Sequence, residues 1–278
     1  MRRLRPSDAW LFALWLTLAG VVVSVSPVAA AGAPDSVFLE DLTWTELRAA
    51  IQAGTTMILV PIGGTEQNGP HMALGKHNVR ARALAERIAR GLGNALVAPV
   101  IAYVPEGGLQ PTTGHMRFPG TITVPDDVFQ HALQSAAQSF KVHGFRDIVF
   151  LGDHGSTQAG QKAVAARLNR EWHAGSTRAH AIEDYYRAAT SGFRELLRAR
   201  GYRAEELGEH AALADTSLTL AIDPRLVRAS LLTSERAPGA DTGVDGDPRR
   251  ASAELGQLGV DLIVGRTIAA IKDSITRR

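Results

Sequence analysis

The sequence predicts an α/β fold, a three-layer α/β/α sandwich with a mainly parallel central sheet. Two observations carry this. Short apolar, β-rich runs alternate along the chain with longer amphipathic stretches, the pattern of βαβ units. Polar residues then gather directly after the apolar runs, where open parallel sheets collect their ligands. Taking the elements in order, Thr43 stands where it can cap a helix running through Ala53, and Glu46 three residues on completes a capping box. Thr56–Ile62 reads as a buried strand ended by Gly63 and Gly64. His77–Leu92 carries Val79, Ala83 and Ile88 on one side and charges on the other, so a helix follows. Ala95–Ile101 reads as the second strand. Phe129, Leu133, Ala136 and Phe140 recur at helical spacing. Asp147–Leu151 is the next strand and Gln158–Trp172 the next helix. Arg178–Ile182 is a weaker strand, Tyr186–Arg200 a helix, Leu218–Ile222 a further strand, and Ala251–Ile271 a long terminal helix.

The 278 residues include 30 Lys+Arg, 28 Asp+Glu, 9 His and no Cys. The absence of cysteine excludes disulfides, iron–sulfur clusters, thiolate zinc sites and cysteine nucleophiles. The small positive excess has a location. Arg2, Arg3 and Arg5 precede a stretch from Ala9 to Pro34 without a charged residue, which passes from a Trp- and Leu-rich run into Val28-Ala-Ala-Ala-Gly-Ala33. A positive start, an apolar middle and an Ala-x-Ala exit are the parts of a secretory signal peptide. Residues 1–31 are therefore expected to direct export to the periplasm or the exterior, leaving one domain over 32–278 and no membrane attachment after cleavage. Their removal leaves 27 basic and 27 acidic residues. A neutral mature chain argues against a nucleic-acid partner. The cluster Arg194, Arg198, Arg200 and Arg203 is interleaved with Glu195, Glu205 and Glu206, as on a solvated helix face.

Chemistry concentrates in three turns. The first runs from Gly63 through Glu66, Asn68 and His71 to Gly75-Lys76-His77; the second is Gly152-Asp153-His154-Gly155-Ser156; the third holds Glu209, His210 and Asp215. None is a phosphate loop, since neither GxGxxG nor GKS/T occurs. A single histidine in such a turn is commonly a hydrogen-bonded structural residue. Three His- and carboxylate-bearing turns together point to a metal or an acid/base site.

These segments resemble the motifs of the creatininase (creatinine amidohydrolase) family. Pro61-Ile-Gly-Gly-Thr-Glu66-Gln-Asn-Gly-Pro-His71 through His77 is similar to the family's first motif, and His115-Met-Arg-Phe-Pro-Gly-Thr121 to its H-x-x-F-P-G-T. Gly144 to Gly155 resembles the strand leading into N-G-H-G. Gly208 to Ser217 resembles G-x-H-A-x-x-x-E-T-S, and Gly243-Val-Asp-Gly-Asp247-Pro a late G-V-x-G-D-P. The resemblance runs from about Leu59 to Ala270 and implies a metal-dependent hydrolase.

By position, the resemblance assigns Glu66 and His154 as metal ligands and His210 as the histidine that handles the proton of the leaving nitrogen. The chain departs from the pattern at several ligand positions. Asn68 stands where the family has histidine, His77 where it has a metal-bridging aspartate, Ser156 where some members have glutamate, and Asp215 where it has a longer glutamate. An imidazole brings no negative charge to offset two ions, so His77 disfavours a two-metal arrangement. The expectation is one divalent ion on Glu66, His77 and His154, zinc first and manganese or iron after it. His210 and Asp215 are then the catalytic pair, with Asn68, His71, His115, Asp153 and Ser156 in supporting or substrate-contacting positions. The reaction implied is attack of water on an amide or cyclic-amide C–N bond of a small molecule, in a protein that self-associates as its family does. Two other classes stay open. One is a binding protein of the same fold that has lost catalysis; the other is a non-hydrolytic iron enzyme suggested by the two-His-one-carboxylate set.

Overall fold

Four strands, β1 (Met57–Ile62), β2 (Ala95–Val97), β3 (Asp147–Gly152) and β4 (Arg178–Ala181), pair in parallel in the order β2–β1–β3–β4. Met57 lies opposite both Ala95 and Asp147, and Asp147 opposite Arg178. The computed structural model describes residues 35–233 and 239–277. The expected export segment, residues 1–31, lies outside them. Among the described residues, no helix is long and apolar enough to cross a membrane.

Every residue of β1 and β3 is buried, which explains why these strands read as continuous apolar runs rather than alternating ones. Met57, Leu59, Val149 and Leu151 point into one core, shared with α2 (Lys76–Leu92), α8 (Leu213–Ile222) and α9 (Ala253–Thr276). Ile58, Val60, Ile148 and Phe150 point into the other, against α3 (Asp126–Val142) and α4 (Thr157–Glu171). The period-two alternation of a strand thus builds three layers from one sheet. α1 (Trp44–Gln52) begins with the expected capping box, in which Thr43 N–H donates to Glu46 Oε2 at 2.7 Å and Glu46 N–H to Thr43 Oγ1 at 3.3 Å.

Several expected elements are corrected. β2 stops at Val97 rather than 101, because Pro99 has no N–H to continue the ladder; Ile101 makes only an isolated bridge to Ile62. The apolar stripe of α3 buries Phe129, Leu133 and Ala137, with Ala136 only half-buried. The helix expected over 186–200 is three consecutive pieces: α5 (Glu183–Arg187), a π-helical turn (Ala188–Gly192) and α6 (Phe193–Arg198). A short α7 (Ala204–Leu207) follows.

Leu218–Ile222, expected as a strand, is the second half of α8. Thr216, Ser217 and Thr219 favour extended structure locally, but α9 packs on this segment so closely that a Cβ added to Gly256 would lie 1.9 Å from the Ser217 carbonyl oxygen. Packing of the apolar face against α9 overrides the local preference. The turn holding His210 accordingly leads into a helix, whose first turn carries Asp215, and does not follow a strand.

Candidate metal centre

The site lies beyond the carboxyl ends of β1 and β3. After β1 the chain must turn sharply under the start of α2, and Gly63 allows it: a Cβ there would sit 2.1 Å from Asn78 Oδ1. The turn carries Glu66 inward, where its side chain is 0% exposed. Its Oε1 faces His77 Nε2 at 2.8 Å, and its Oε2 faces both His154 Nε2 and His115 Nε2 at 3.0 Å. Burial pushes this carboxyl up, but the hydrogen bonds and charges of His154 and His77 outweigh it and hold Glu66 well below the usual carboxylate range.

On the Oε2 side the loop between β2 and α3 delivers two further groups. Glu106 Oε2 is 3.2 Å from His154 Nε2, and neither Glu106 oxygen has a hydrogen-bond partner although both are buried. Burial, together with the neighbouring Glu66 charge, pushes Glu106 up to about 8. Glu66, Glu106, His115 and His154 each offer one ligand atom, and these four atoms lie within 4.8 Å of one another. Buried carboxylate oxygens without donors, facing imidazole nitrogens, make a donor set that a divalent cation satisfies. The set is held from behind. His154 Nδ1 lies 2.7 Å from Ser156 Oγ, whose hydroxyl donates to the Pro105 carbonyl at 2.5 Å. That link turns His154 Nε2 toward Glu66 and ties its turn to the residue next to Glu106. Burial lowers His154, but the hydrogen bond and charge of Glu66 raise it overall. His115 is lowered, chiefly by burial.

The Oε1 side is different. His77 uses its second nitrogen too, with Nδ1 2.6 Å from Asp153 Oδ2. Asp153 also accepts from Arg80 Nε at 2.8 Å and from the Tyr185 hydroxyl at 2.8 Å. Arg80 Nη1 reaches on to Asp215 Oδ1 at 2.6 Å, while Asp215 Oδ2 pairs with Lys76 Nζ and accepts the Ala211 N–H at 3.0 Å. Burial pushes both aspartates up; Arg80 and His77 bring Asp153 below its ordinary value, and Lys76 and Arg80 hold Asp215 well below it. The Tyr185 phenol is raised well above its ordinary value by burial and by the Asp153 charge, so it stays a donor.

The structure therefore brings Glu66 and His154 together as expected, joined by His115 and Glu106. His77 is on the opposite side of Glu66, with both ring nitrogens engaged by carboxylates. Asp215 pairs with Lys76 and Arg80 rather than with His210. His210 Nε2 is 3.0 Å from the Gln67 carbonyl oxygen, which leaves Nδ1 facing Glu66 Oε1 at 3.9 Å. Burial and the nearby Lys76 charge lower His210 to about 4. Ala211, which follows it, adopts φ +54°, the one non-glycine residue with positive φ among the described residues. Asn68 braces the turn, its amide donating to the Glu66 and Ala73 carbonyls at 2.9 and 3.2 Å. His71 Nε2 meets Thr216 Oγ1 at 3.0 Å, an internal packing contact.

Residue-pattern reasoning missed Glu106, Arg80, Tyr185 and Gln67. Gln67 Nε2 is 3.1 Å from both His115 Nδ1 and His210 Nε2 and donates to the Gly243 carbonyl at 3.0 Å, joining its own motif to three others. For Glu106 the one available signal is a carboxylate set between Pro105 and the Gly107-Gly108 pair.

A parallel α/β sandwich with a carboxylate–imidazole cluster at the carboxyl edge of its sheet defines a class of proteins built for metal-site chemistry. Within that class the chain belongs to the creatininase family, whose model, described as creatinine amidohydrolase, matches residues 40–271. It is 32% identical over 119 residues to creatinine amidohydrolase of Pseudomonas putida, a stretch covering 43% of this chain and 45% of that protein. It is 25% identical over 205 residues to 3-dehydro-scyllo-inosose hydrolase of Thermotoga maritima, covering 70% and 58%. With the mycofactocin precursor peptide peptidase of Mycobacterium tuberculosis, identity is 28% over 246 residues, covering 80% and 83%. The match thus spans only about half the length of the first two curated relatives. Among solved structures, creatinine amidohydrolase (creatininase) superposes with a TM-score of 0.73 at 24% identity, covering 87% of this chain and 98% of that one. A Zn–Zn form of a creatininase variant superposes with a TM-score of 0.68 at 25% identity, covering 86% and 98%.

Proposed function

We propose that this chain is a metal-dependent hydrolase of an amide or cyclic-amide C–N bond in a small molecule, using one divalent ion held by Glu66, Glu106, His115 and His154. The observation that carries this reading is Glu106, a second buried carboxyl that completes no hydrogen bond and whose Oε2 lies 3.2 Å from His154 Nε2, beside Glu66. Two imidazoles and two carboxylates suit zinc first, then manganese or iron; solved relatives include a Zn–Zn form and a manganese form. The relatives' names, an amidohydrolase, a hydrolase and a peptidase, support the reaction class. A divalent ion in this site supplies Lewis acidity, polarising a carbonyl and lowering the pKa of water.

The chain's own residues do the rest. Glu66 presents Oε2 to the ion site because His77 holds Oε1. His77 in turn is fixed by Asp153, Arg80 and Tyr185, so it acts as the positioning residue for Glu66. His210, neutral at physiological pH, accepts a proton from the attacking water at Nδ1 and delivers it to the leaving nitrogen. Hydrolysis balances: oxygen joins the acyl carbon, the C–N bond breaks, and the nitrogen leaves as an amine carrying that proton.

The deciding measurement is a metal count on protein purified without chelator, alongside release of amine from a panel of amides and lactams before and after chelation. One ion per chain with chelator-sensitive turnover is expected. Two tightly held ions overturn the single-ion assignment, and no ion with no turnover favours the catalytically inactive small-molecule-binding alternative. Export rests on residues 1–31, and N-terminal sequencing of protein recovered outside the cytoplasm tests it. Self-association rests on the family alone and is tested by sedimentation.

A further inference from the structure

The cleft leading to the site has walls of different character. The charged groups lining it besides the histidines are Lys76, Arg80, Asp153, Asp215, Arg194 and Glu209. On the inner wall the charges are already matched. Lys76, 1% exposed, pairs with Asp215, and Arg80 spans Asp153 and Asp215. An anion entering there would compete with two buried carboxylates. The outer wall is the helical stretch 183–198, where Tyr186, Thr190 and Arg194 stand four residues apart and face the cleft together. The π-helical turn Ala188–Gly192 lies inside this stretch, and such turns re-aim side chains, frequently at functional sites.

Arg194 is the cation with capacity to spare. Its side chain is 24% exposed, and Nη1 donates to the Gly208 carbonyl at 3.0 Å. Its other partner, Glu209, is 3.5 Å away and 77% exposed, a contact of small worth in water. A guanidinium has five N–H donors in a planar fork suited to a carboxylate. Beside it, the Tyr186 hydroxyl rests over the backbone next to His154, since a Cβ added at Gly155 would lie 2.9 Å from it. Burial and the charges of Asp153 and Asp215 raise Tyr186, so it keeps its proton as a donor.

Building on the hydrolase reading above, we propose that the substrate carries a carboxylate close to its scissile amide, gripped by Arg194 and Tyr186 at the cleft mouth. The simplest members of this class are short acylated amino acids and similar small acidic amides. Arg194 is clamped to the backbone beside His210, so a carboxylate on it places the adjoining amide next to the residue that moves the proton.

The test compares two probes matched in size, N-acetylglycine and N-acetylglycinamide, which differ by carboxylate against carboxamide. Binding is measured by calorimetry or ligand-observed NMR on the folded full chain. N-acetylglycine is expected to bind at least about tenfold more tightly, from a charge-assisted bidentate contact. Arg194→Met should remove the difference, Tyr186→Phe should halve it or more, and Arg194→Lys should restore part of it. Arg187→Met, an exposed cation on the same helical stretch, should leave the preference unchanged. Equal binding of the two probes, binding of neither at millimolar concentration, or a preference that survives Arg194→Met overturns the proposal. Because the readout is binding, it stays legible if the protein holds no metal and turns nothing over, so failure of the hydrolase reading is separately visible.

Discussion

The two oxygens of Glu66 look into two different environments. Beyond Oε1, His77, Asp153, Arg80, Tyr185, Asp215 and Lys76 form a chain in which each charge meets an opposite charge and each ring nitrogen an acceptor. Beyond Oε2, His154 and His115 crowd one carboxylate oxygen, and Glu106 adds a second buried carboxyl that completes no hydrogen bond and shares His154 with Glu66. The first network is electrically complete within the protein. The second is the one the proposed cation would complete. Under the proposed function, one buried glutamate is a ligand on one side and the terminus of a structural lattice on the other, and residue type alone does not reveal which histidine falls on which side.

Removing a histidine from each side of Glu66 separates the two environments by experiment. His154→Ala should weaken metal binding by about a thousandfold or more, because a ligand is lost. His77→Ala should weaken it by about 10–100-fold, the scale of a lost orienting partner. Both are read by competition with a chromophoric chelator, and equal losses would return His77 to the ligand set. Next in size, Arg80→Met should destabilise the fold by about 3 kcal/mol, since Asp153 and Asp215 would be left buried with fewer partners. Chemical denaturation of the metal-free protein measures it, and a loss near zero would mean the lattice carries little of the stability.

A pH dependence is expected on the Oε2 side. Glu106 sits at about 8 in the folded protein against 4.5 for an ordinary glutamate. The folded state thus holds the proton more tightly than the unfolded one. This contribution to metal-free stability is complete below about 4.5 and is lost as pH rises from there through about 8. Glu106→Gln should flatten the curve. It should also reduce, by about one, the protons released when metal binds at pH 7.

The layers of the fold were legible because β1 and β3 are uninterrupted apolar runs between turns, and α1 announces itself with Thr43 and Glu46. Glu66 and His154 were legible for a related reason: each sits in a glycine-bounded turn directly after a buried strand. Leu218–Ile222 was not, because its helical state depends on Gly256 letting α9 close on it, a contact more than 30 residues away in sequence. Glu106 was hidden for the same kind of reason. Its loop has no periodicity, and its proximity to Glu66 comes from tertiary placement of the chain between β2 and α3. Tertiary placement also separates His77, which the sequence put in the ligand set, from His115, which it put in a supporting position.

The hydrogen bond from Ser156 to the Pro105 carbonyl has a genetic consequence. It makes positions 106 and 156 a coupled pair, since a larger side chain at 156 would push away the backbone that carries Glu106. Ser156→Glu, which offers a carboxylate where some family members have one, should be harmful in the native background. The same change should be milder once Glu106 has been replaced by alanine, so the double variant is expected to hold more metal than the sum of the single losses implies. The two carboxylate positions then behave as alternatives, and the order in which substitutions arrive decides whether the centre survives.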